Sequence, residues 1–304
     1  MKILNVNDIY AQYVDESDYL KEDQRYWGEI RRIANKIEKE REEKPILLLS
    51  GPSGSGKTTT AQRMEKMLEE SGMETHTVSL DCYFSTLAPE LVKTVDLESP
   101  ERLDKDLLEE HIHKLLNYEE IELPEFDFAN TRQSKSGVKL RRKPNEIIIF
   151  EGIHALNPDA VKVNHGAAKM YISVRTRVGY GDGKILHPRF IRLLRRMSRD
   201  MRFRGRTPIQ TLSFFQEVEK GVEKYVSPYK IYADYSIDTF VGYEPLTYHD
   251  EMLLKLTEER ILTSGYEREV VDMLIEFLSS YNGRGTDLVS DESLIREFIG
   301  SKQI

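Results

Sequence analysis

The sequence predicts an α/β fold, a doubly wound parallel sheet flanked by helices, with a helical lid and helical N- and C-terminal extensions. Three observations predict it. Short apolar runs, Ile46 to Ser50, Thr75 to Leu80, Glu146 to Gly152 and Lys169 to Val174, alternate with stretches of helical periodicity, as expected of strands whose crossovers cover both faces of a sheet. The first run leads through a bend of glycine and serine directly into a helical pattern. Of the 304 residues, 39% are hydrophobic, enough for one large buried core.

The elements follow in order. From about Tyr19 to Lys44 the chain is dense in Glu, Lys and Arg, with Tyr26, Ile30, Ile33 and Ile37 at three- and four-residue steps. That spacing predicts an exposed amphipathic helix, an N-terminal helical arm over residues 1–44. A core over residues 45–245 holds the four apolar runs. Within it, "VGYGDG" (Val178 to Gly183) breaks regular structure and is a hinge candidate. Two helical patterns follow, Pro188 to Phe203 and Ile209 to Tyr225, and define a lid over about 179–225. "YVSPYKIYADYSIDTF" ends as a returning strand. From Tyr248 onward "GYEREVVDMLIEFLSSYN" and "DESLIREFIG" read as helices, a C-terminal helical extension over 246–304. The two extensions are expected to offer surfaces for self-association.

Charge and cysteine content exclude several classes. With 44 basic and 52 acidic side chains the formal net charge is -8, which argues against a general nucleic-acid or acidic-membrane binder. Any anion site must be a local basic patch. Cys82 is the only cysteine, so no intrachain disulfide forms, as fits a reducing compartment. The first residues carry acids, and no later stretch approaches the roughly 20 apolar residues of a membrane span. A cytoplasmic protein without membrane or nucleic-acid partners is expected.

The bend itself is informative. Gly51, Gly56, Lys57 and Thr58 complete G-x-x-x-x-G-K-[ST] between a predicted strand and a predicted helix, the context in which this P-loop wraps backbone amides around nucleotide phosphates. The donor-binding set is then Gly51, Ser53, Gly54, Ser55, Gly56, Lys57, Thr58 and Thr59. Lys57 reaches the β- and γ-phosphates, Thr58 holds Mg²⁺, and the helix start adds unpaired amides and its positive dipole end.

Neighbouring acids and bases narrow the class. No guanine-reading N-K-x-D occurs. The next run ends in Asp81, 24 positions after Lys57, at the carboxyl end of a strand, where such sheets place ligand chemistry. Asp81 is placed to accept the proton of an attacking hydroxyl; a turn or capping aspartate is the alternative. "EIIIFEG" presents Glu151 to Mg²⁺ or its waters, with a surface glutamate as the alternative. Arg192, Arg195, Arg199, Arg202 and Arg206 step by three or four residues, so a helix carries them on one face, opposite Phe190, Leu193, Leu194, Met197 and Met201. A lid closing guanidiniums over a phosphoryl group accounts for this stripe. Solvated or acid-paired arginines, or a nucleic-acid groove, are the competing accounts.

Taken together, "GPSGSGKTTTA", "SLDCYF", "LESPERLD", "LPEFDF", "IIIFEGIHALNP", "RRMSRDMRFRGR" and "YVSPYKIYAD" resemble, in this order from about Pro45 to Thr239, the uridine kinase and phosphoribulokinase family, in its bacterial uridine kinase-like branch. "SLIREFIG" is similar to the end of that branch. The resemblance implies Asp81 as general base, with Lys57 and Arg199 also in the catalytic set. It implies Thr58, Glu151 and the nearby Asp81 around Mg²⁺, and Arg196, Arg199, Arg204 and Arg206 on the phosphate and acceptor side. The acceptor positions are Asp81, Tyr83, Glu98 and Phe126. Here the sequence departs from the family: gapless alignment sets Glu98 against aspartate, Phe126 against tyrosine, Thr131 against histidine and Phe214 against glutamine. Tyr83 and Phe84 are also exchanged in order. Loss of polar base-reading groups makes uridine itself a poor expectation. Glu98 can still accept from vicinal hydroxyls, or Asp96 in its place if the loop is shifted.

The function expected is an ATP- and Mg²⁺-dependent small-molecule kinase, a phosphotransferase acting on an alcohol group, and foremost on the 5′-hydroxyl of a nucleoside. Its partners are a nucleotide donor and a small hydroxyl-bearing acceptor. The competing expectations are a kinase of another polyhydroxyl compound, such as a sugar phosphate or small organic acid, and a non-catalytic nucleotide-binding regulator.

Overall fold

The computed structural model describes residues 2–91, 95–163 and 165–301. Its elements run β1 (Ile3–Asn5), α1 (Val6–Gln12), α2 (Glu16–Glu40), β2 (Ile46–Ser50), α3 (Lys57–Glu70), β3 (Glu74–Ser79), α4 (Lys105–Leu116), β4 (Glu120–Asp127), β5 (Arg132–Arg141), β6 (Glu146–Glu151) and β7 (Ala167–Ser173). There follow β8 (Arg177–Tyr180), β9 (Lys184–Leu186), α5 (Pro188–Phe203), α6 (Pro208–Tyr225), β10 (Tyr235–Asp238), α7 (Glu244–Glu259), α8 (Gly265–Leu278) and α9 (Arg296–Ile299).

The expected sheet is present. Its order is β10-β7-β2-β6-β3, and every pair in it is parallel. Strands β2 and β6 are buried along their whole length, as unalternating apolar runs require when helices cover both faces. Each such side chain contributes about 1.5–3 kcal/mol on burial. Because all strands run the same way, the ends of β2, β3 and β6 open on one edge, which brings Gly51, Asp81 and Glu151 together.

The extensions differ from the expectation. Helix α2 starts on a capping box of Asp15 and Asp18. It is not an exposed arm: Ile30 and Ile37 have no exposure and join the main core, and Tyr26 OH meets Thr60 Oγ1 of α3 at 2.8 Å. The C-terminal helices belong to the same core through Leu246, Leu274, Leu294 and Ile295. Tyr243 stacks on Tyr19 at 4.1 Å and donates to Asp23 at 2.6 Å, which pins the two ends of the chain to each other. A charged outer face on α2 concealed this, because periodicity reports that a helix has an apolar stripe and not what covers it.

The hinge candidate is also different. Val178 to Gly183 lies in the hairpin β8–β9, and β8 pairs in parallel with β1. Hairpin β4–β5 is a further antiparallel pair that the sequence pattern did not single out. Among the described residues, no helix is long and apolar enough to cross a membrane.

Candidate active site

Strand β2 delivers the chain into the glycine bend, and the bend is shaped by contacts that a side chain would break. A Cβ on Gly51 would lie 2.2 Å from the Ile172 carbonyl oxygen of β7, and Gly56 caps α3 at φ +87, a backbone region that favours glycine. Thr60 Oγ1 donates to Gly56 O at 2.7 Å and ties the bend to the first turn of α3. Ser55 Oγ is buried and has no hydrogen-bond partner. Lys57 Nζ folds back to Pro52 O at 3.3 Å. Burial pulls its pKa down, while Glu151 and then Asp81 act to raise it.

Opposite the bend, Asp81 follows β3 in the short turn Leu80–Tyr83, where Ser79 Oγ accepts from its amide at 3.4 Å. The carboxylate is open to the solvent of the cleft, but the protein around that cleft raises its pKa and Lys57 acts against the rise. Glu151, at the end of β6, is buried, and its pKa is likewise raised by burial, against the pull of Lys57. Glu98 is raised by burial and lowered by Arg196. All of these groups line one cleft of about 710 Å³.

The arginines of α5 divide. Arg195 is fully buried and forks onto Glu244 at 2.8 and 2.9 Å. Arg192 holds Glu219 at 2.6 and 2.8 Å, and Arg202 pairs with Glu251 at 2.6 Å. The stripe is therefore not a single cationic face: three of its members tie α5 to α6 and α7. The cleft is lined instead by Arg196, Arg199, Arg204 and Arg206. Arg196 bonds Ser53 Oγ in the bend, and burial depresses its pKa to about 10. Arg199 and Arg204 share Asp200 Oδ1 at 3.2 and 3.3 Å. The Arg206 guanidinium lies 5.5 Å from the Phe214 ring centre.

On the acceptor side the structure corrects one residue outright. Tyr83 has no exposure and its hydroxyl pairs with His111 Nδ1 at 3.0 Å, so it belongs to the core. Its neighbour Phe84 lines the cleft with Leu97 and Phe128. Phe126 stands behind this wall, 5.6 Å from Phe84 and 5.0 Å from Phe128 between ring centres. Thr131 Oγ1 is taken up by Leu87 O at 3.0 Å. Asp96 accepts from Tyr225 OH at 2.9 Å and from the Glu98 amide at 3.0 Å, so Glu98 and not Asp96 faces the cleft. Glu297 also lines it, from 238 residues beyond Thr59; it falls in the "SLIREFIG" segment, but nothing local in the sequence places it in the cleft.

The donor set suits nucleotide phosphates: first-turn amides of α3 that have no acceptor within the helix, and a lysine at one end. Mg²⁺ also fits. Among the described residues no cluster of three His, Cys, Asp or Glu is arranged for a metal, but this ion takes one or two carboxylates and completes its shell from phosphates and water. Thr58, Asp81 and Glu151 supply that kind of partial shell, with two carboxyls whose raised pKa a cation would relieve.

The model of the phosphoribulokinase/uridine kinase family matches residues 46–242. A uridine kinase of Anoxybacillus flavithermus is 32% identical over 197 residues, 63% of this chain and 84% of that protein. A uridine kinase of Borrelia turicatae is 27% identical over 228 residues, 74% and 98% of the two. A solved structure provisionally described as a fructose transport system kinase from Silicibacter sp. TM1040 superposes with a TM-score of 0.50 at 17% identity, covering 68% of this chain and 98% of that one. That likeness concerns the fold, a parallel sheet between helices.

Proposed function

The chain belongs to the phosphoribulokinase/uridine kinase family, phosphotransferases with an alcohol group as acceptor, and we propose that its reaction is transfer of the γ-phosphoryl group of ATP to the 5′-hydroxyl of a nucleoside. One observation supports this: Lys57 and Thr58, Asp81, and the aromatic pair Phe84 and Phe128 line a single cleft.

The bend amides and Lys57 hold the donor phosphates, and the positive end of α3 favours their charge. Phe84 and Phe128 offer aromatic surface to a base, and Glu98 accepts from vicinal sugar hydroxyls. So oriented, the acceptor hydroxyl gives its proton to Asp81 as its oxygen attacks the γ-phosphorus in line and the bond from that phosphorus to the bridging oxygen breaks, releasing ADP. The protein surrounding the cleft raises the proton affinity of Asp81, against the pull of Lys57, which suits a base. Arg196 and Arg199 neutralise charge on the equatorial oxygens. Thr58, Asp81 and Glu151 would hold Mg²⁺, which would supply charge neutralisation for the donor phosphates.

A phosphorylated sugar is the second acceptor class, favoured by Arg204 and Arg206, which line the same cleft as exposed side chains. ADP release measured across nucleosides and sugar phosphates, with Lys57→Ala as control, separates them. Release stimulated by nucleosides and abolished in the control is expected. Stimulation by sugar phosphates alone moves the assignment to that class, and equal background with every acceptor overturns transfer altogether.

A further inference from the structure

The last turns of the chain lie outside the region matched to the family, residues 46–242, yet they reach the donor cradle. Glu297 on α9 accepts from the Thr59 amide at 3.3 Å and from its hydroxyl at 2.6 Å. Thr59 is in the first turn of α3, whose amides have no acceptor within the helix. A carboxylate there gains from the helix dipole for the same reason that a phosphate does.

The approach is braced on three sides. Leu294 packs so closely on the bend that a Cβ on Gly56 would lie 2.7 Å from its Cδ1. Glu292 pairs with Arg63 at 3.3 Å and Lys66 at 3.2 Å along α3. Phe298, the residue after Glu297, sets its ring 5.1 Å from the Arg195 guanidinium, and its carbonyl accepts from Ser198 at 3.2 Å. An anion on phosphate-binding amides followed by a flat ring on a guanidinium repeats, within the chain, the two chemistries by which a nucleotide is held.

We propose that Glu297 is an intrachain competitor of the donor and so sets donor affinity: its carboxylate occupies one phosphate position of the cradle, and a nucleotide binds only when that side chain turns away from Thr59. The helix itself need not leave, because Leu294, Ile295 and Phe298 are buried anchors while Glu297 is only half-buried. Two anions do not share the Thr59 amide, so the apparent dissociation constant is the intrinsic one divided by the fraction of molecules with Glu297 displaced. The inference rests on assigning the bend to the donor phosphates and not on the identity of the acceptor.

The test is equilibrium calorimetric titration of the full chain and its Glu297→Gln and Glu297→Ala variants with Mg·ATP, and separately with inorganic tripolyphosphate, no acceptor being present. If Glu297 holds Thr59 in about nine molecules of ten, Glu297→Ala binds both ligands about tenfold more tightly. Glu297→Gln, which keeps the shape and loses the charge, also binds more tightly. Its near-identical packing keeps the test decisive if the alanine variant fails to fold. Unchanged or weaker binding in the variants overturns the proposal, as does tightening for ATP without tightening for tripolyphosphate. Tighter binding without nucleoside-stimulated ADP release sustains this inference and defeats the nucleoside assignment, whereas ATP binding by none of the three proteins defeats both.

Discussion

The two sides of the cleft are built in opposite ways. The donor side is one continuous segment, Gly51 to Thr59, closed by close backbone approaches such as Gly51 against Ile172 O and clasped by Arg196 on Ser53. The acceptor side is gathered from separate loops: Phe84 after β3, Leu97 and Glu98 before α4, and Phe128 between β4 and β5. Phe128 remains 64% exposed and Leu97 52% exposed. On the proposed roles, the reaction rests on a contiguous local motif and the choice of acceptor on side chains that can be replaced one at a time. A change on the donor side should stop chemistry with any acceptor, and a change on the acceptor side should alter which acceptor is used.

The sharpest break is at Asp81, between the two sides. Asp81→Asn should lower turnover by about 10²- to 10⁴-fold while ATP binding persists, as followed by ADP release and calorimetry. Loss of ATP binding instead would put Asp81 on the donor side. In the parent, kcat/KM should climb with rising pH as Asp81 loses its proton. That limb belongs to Asp81, so Asp81→Asn should abolish it.

Next in size is the anchor of the donor side. Arg195→Ala strands Glu244 in the core without its partner, and breaking such a buried pair costs about 3–5 kcal/mol, measurable by urea unfolding. A variant within 1 kcal/mol of the parent, roughly the worth of an exposed ion pair, would show that α5 is held mainly by its apolar face.

Phe128→Ala tests the acceptor wall. Base-to-aromatic stacking contributes about 1–3 kcal/mol, so the acceptor KM should rise by roughly 5- to 150-fold while KM for ATP stays put. Equal increases in both would erase the division between the two sides.

The smallest effect is on stability. Asp81, Glu98 and Glu151 bind their protons more tightly in the folded chain. Each favours the fold below the pKa of the unfolded chain, and that contribution is lost as pH rises through the higher folded value. At neutral pH the ionised groups therefore work against folding, relieved by Lys57. Glu151→Gln should raise the melting temperature modestly at pH 7 and less at pH 4. A lower melting temperature at pH 7 would mean that the pull of Lys57 outweighs desolvation.

The sequence by itself determined the parallel sheet, the phosphate bend and the strand-end acids, because these follow from contiguous patterns: an unalternating apolar run, a fixed glycine spacing, a carboxylate at the end of a strand. Only the tertiary structure decided which arginine faces what. Arg192, Arg195 and Arg199 follow one helical spacing of three or four residues, yet Glu219 and Glu244, from two other helices, claim the first two. Likewise it exchanged Tyr83 for Phe84, since a one-residue rotation of a short turn interchanges core and cleft. It placed Glu297 on Thr59 across 238 residues. The physical reason is common to all three: a local pattern limits the directions a side chain can take, but what waits there is supplied by a distant part of the chain.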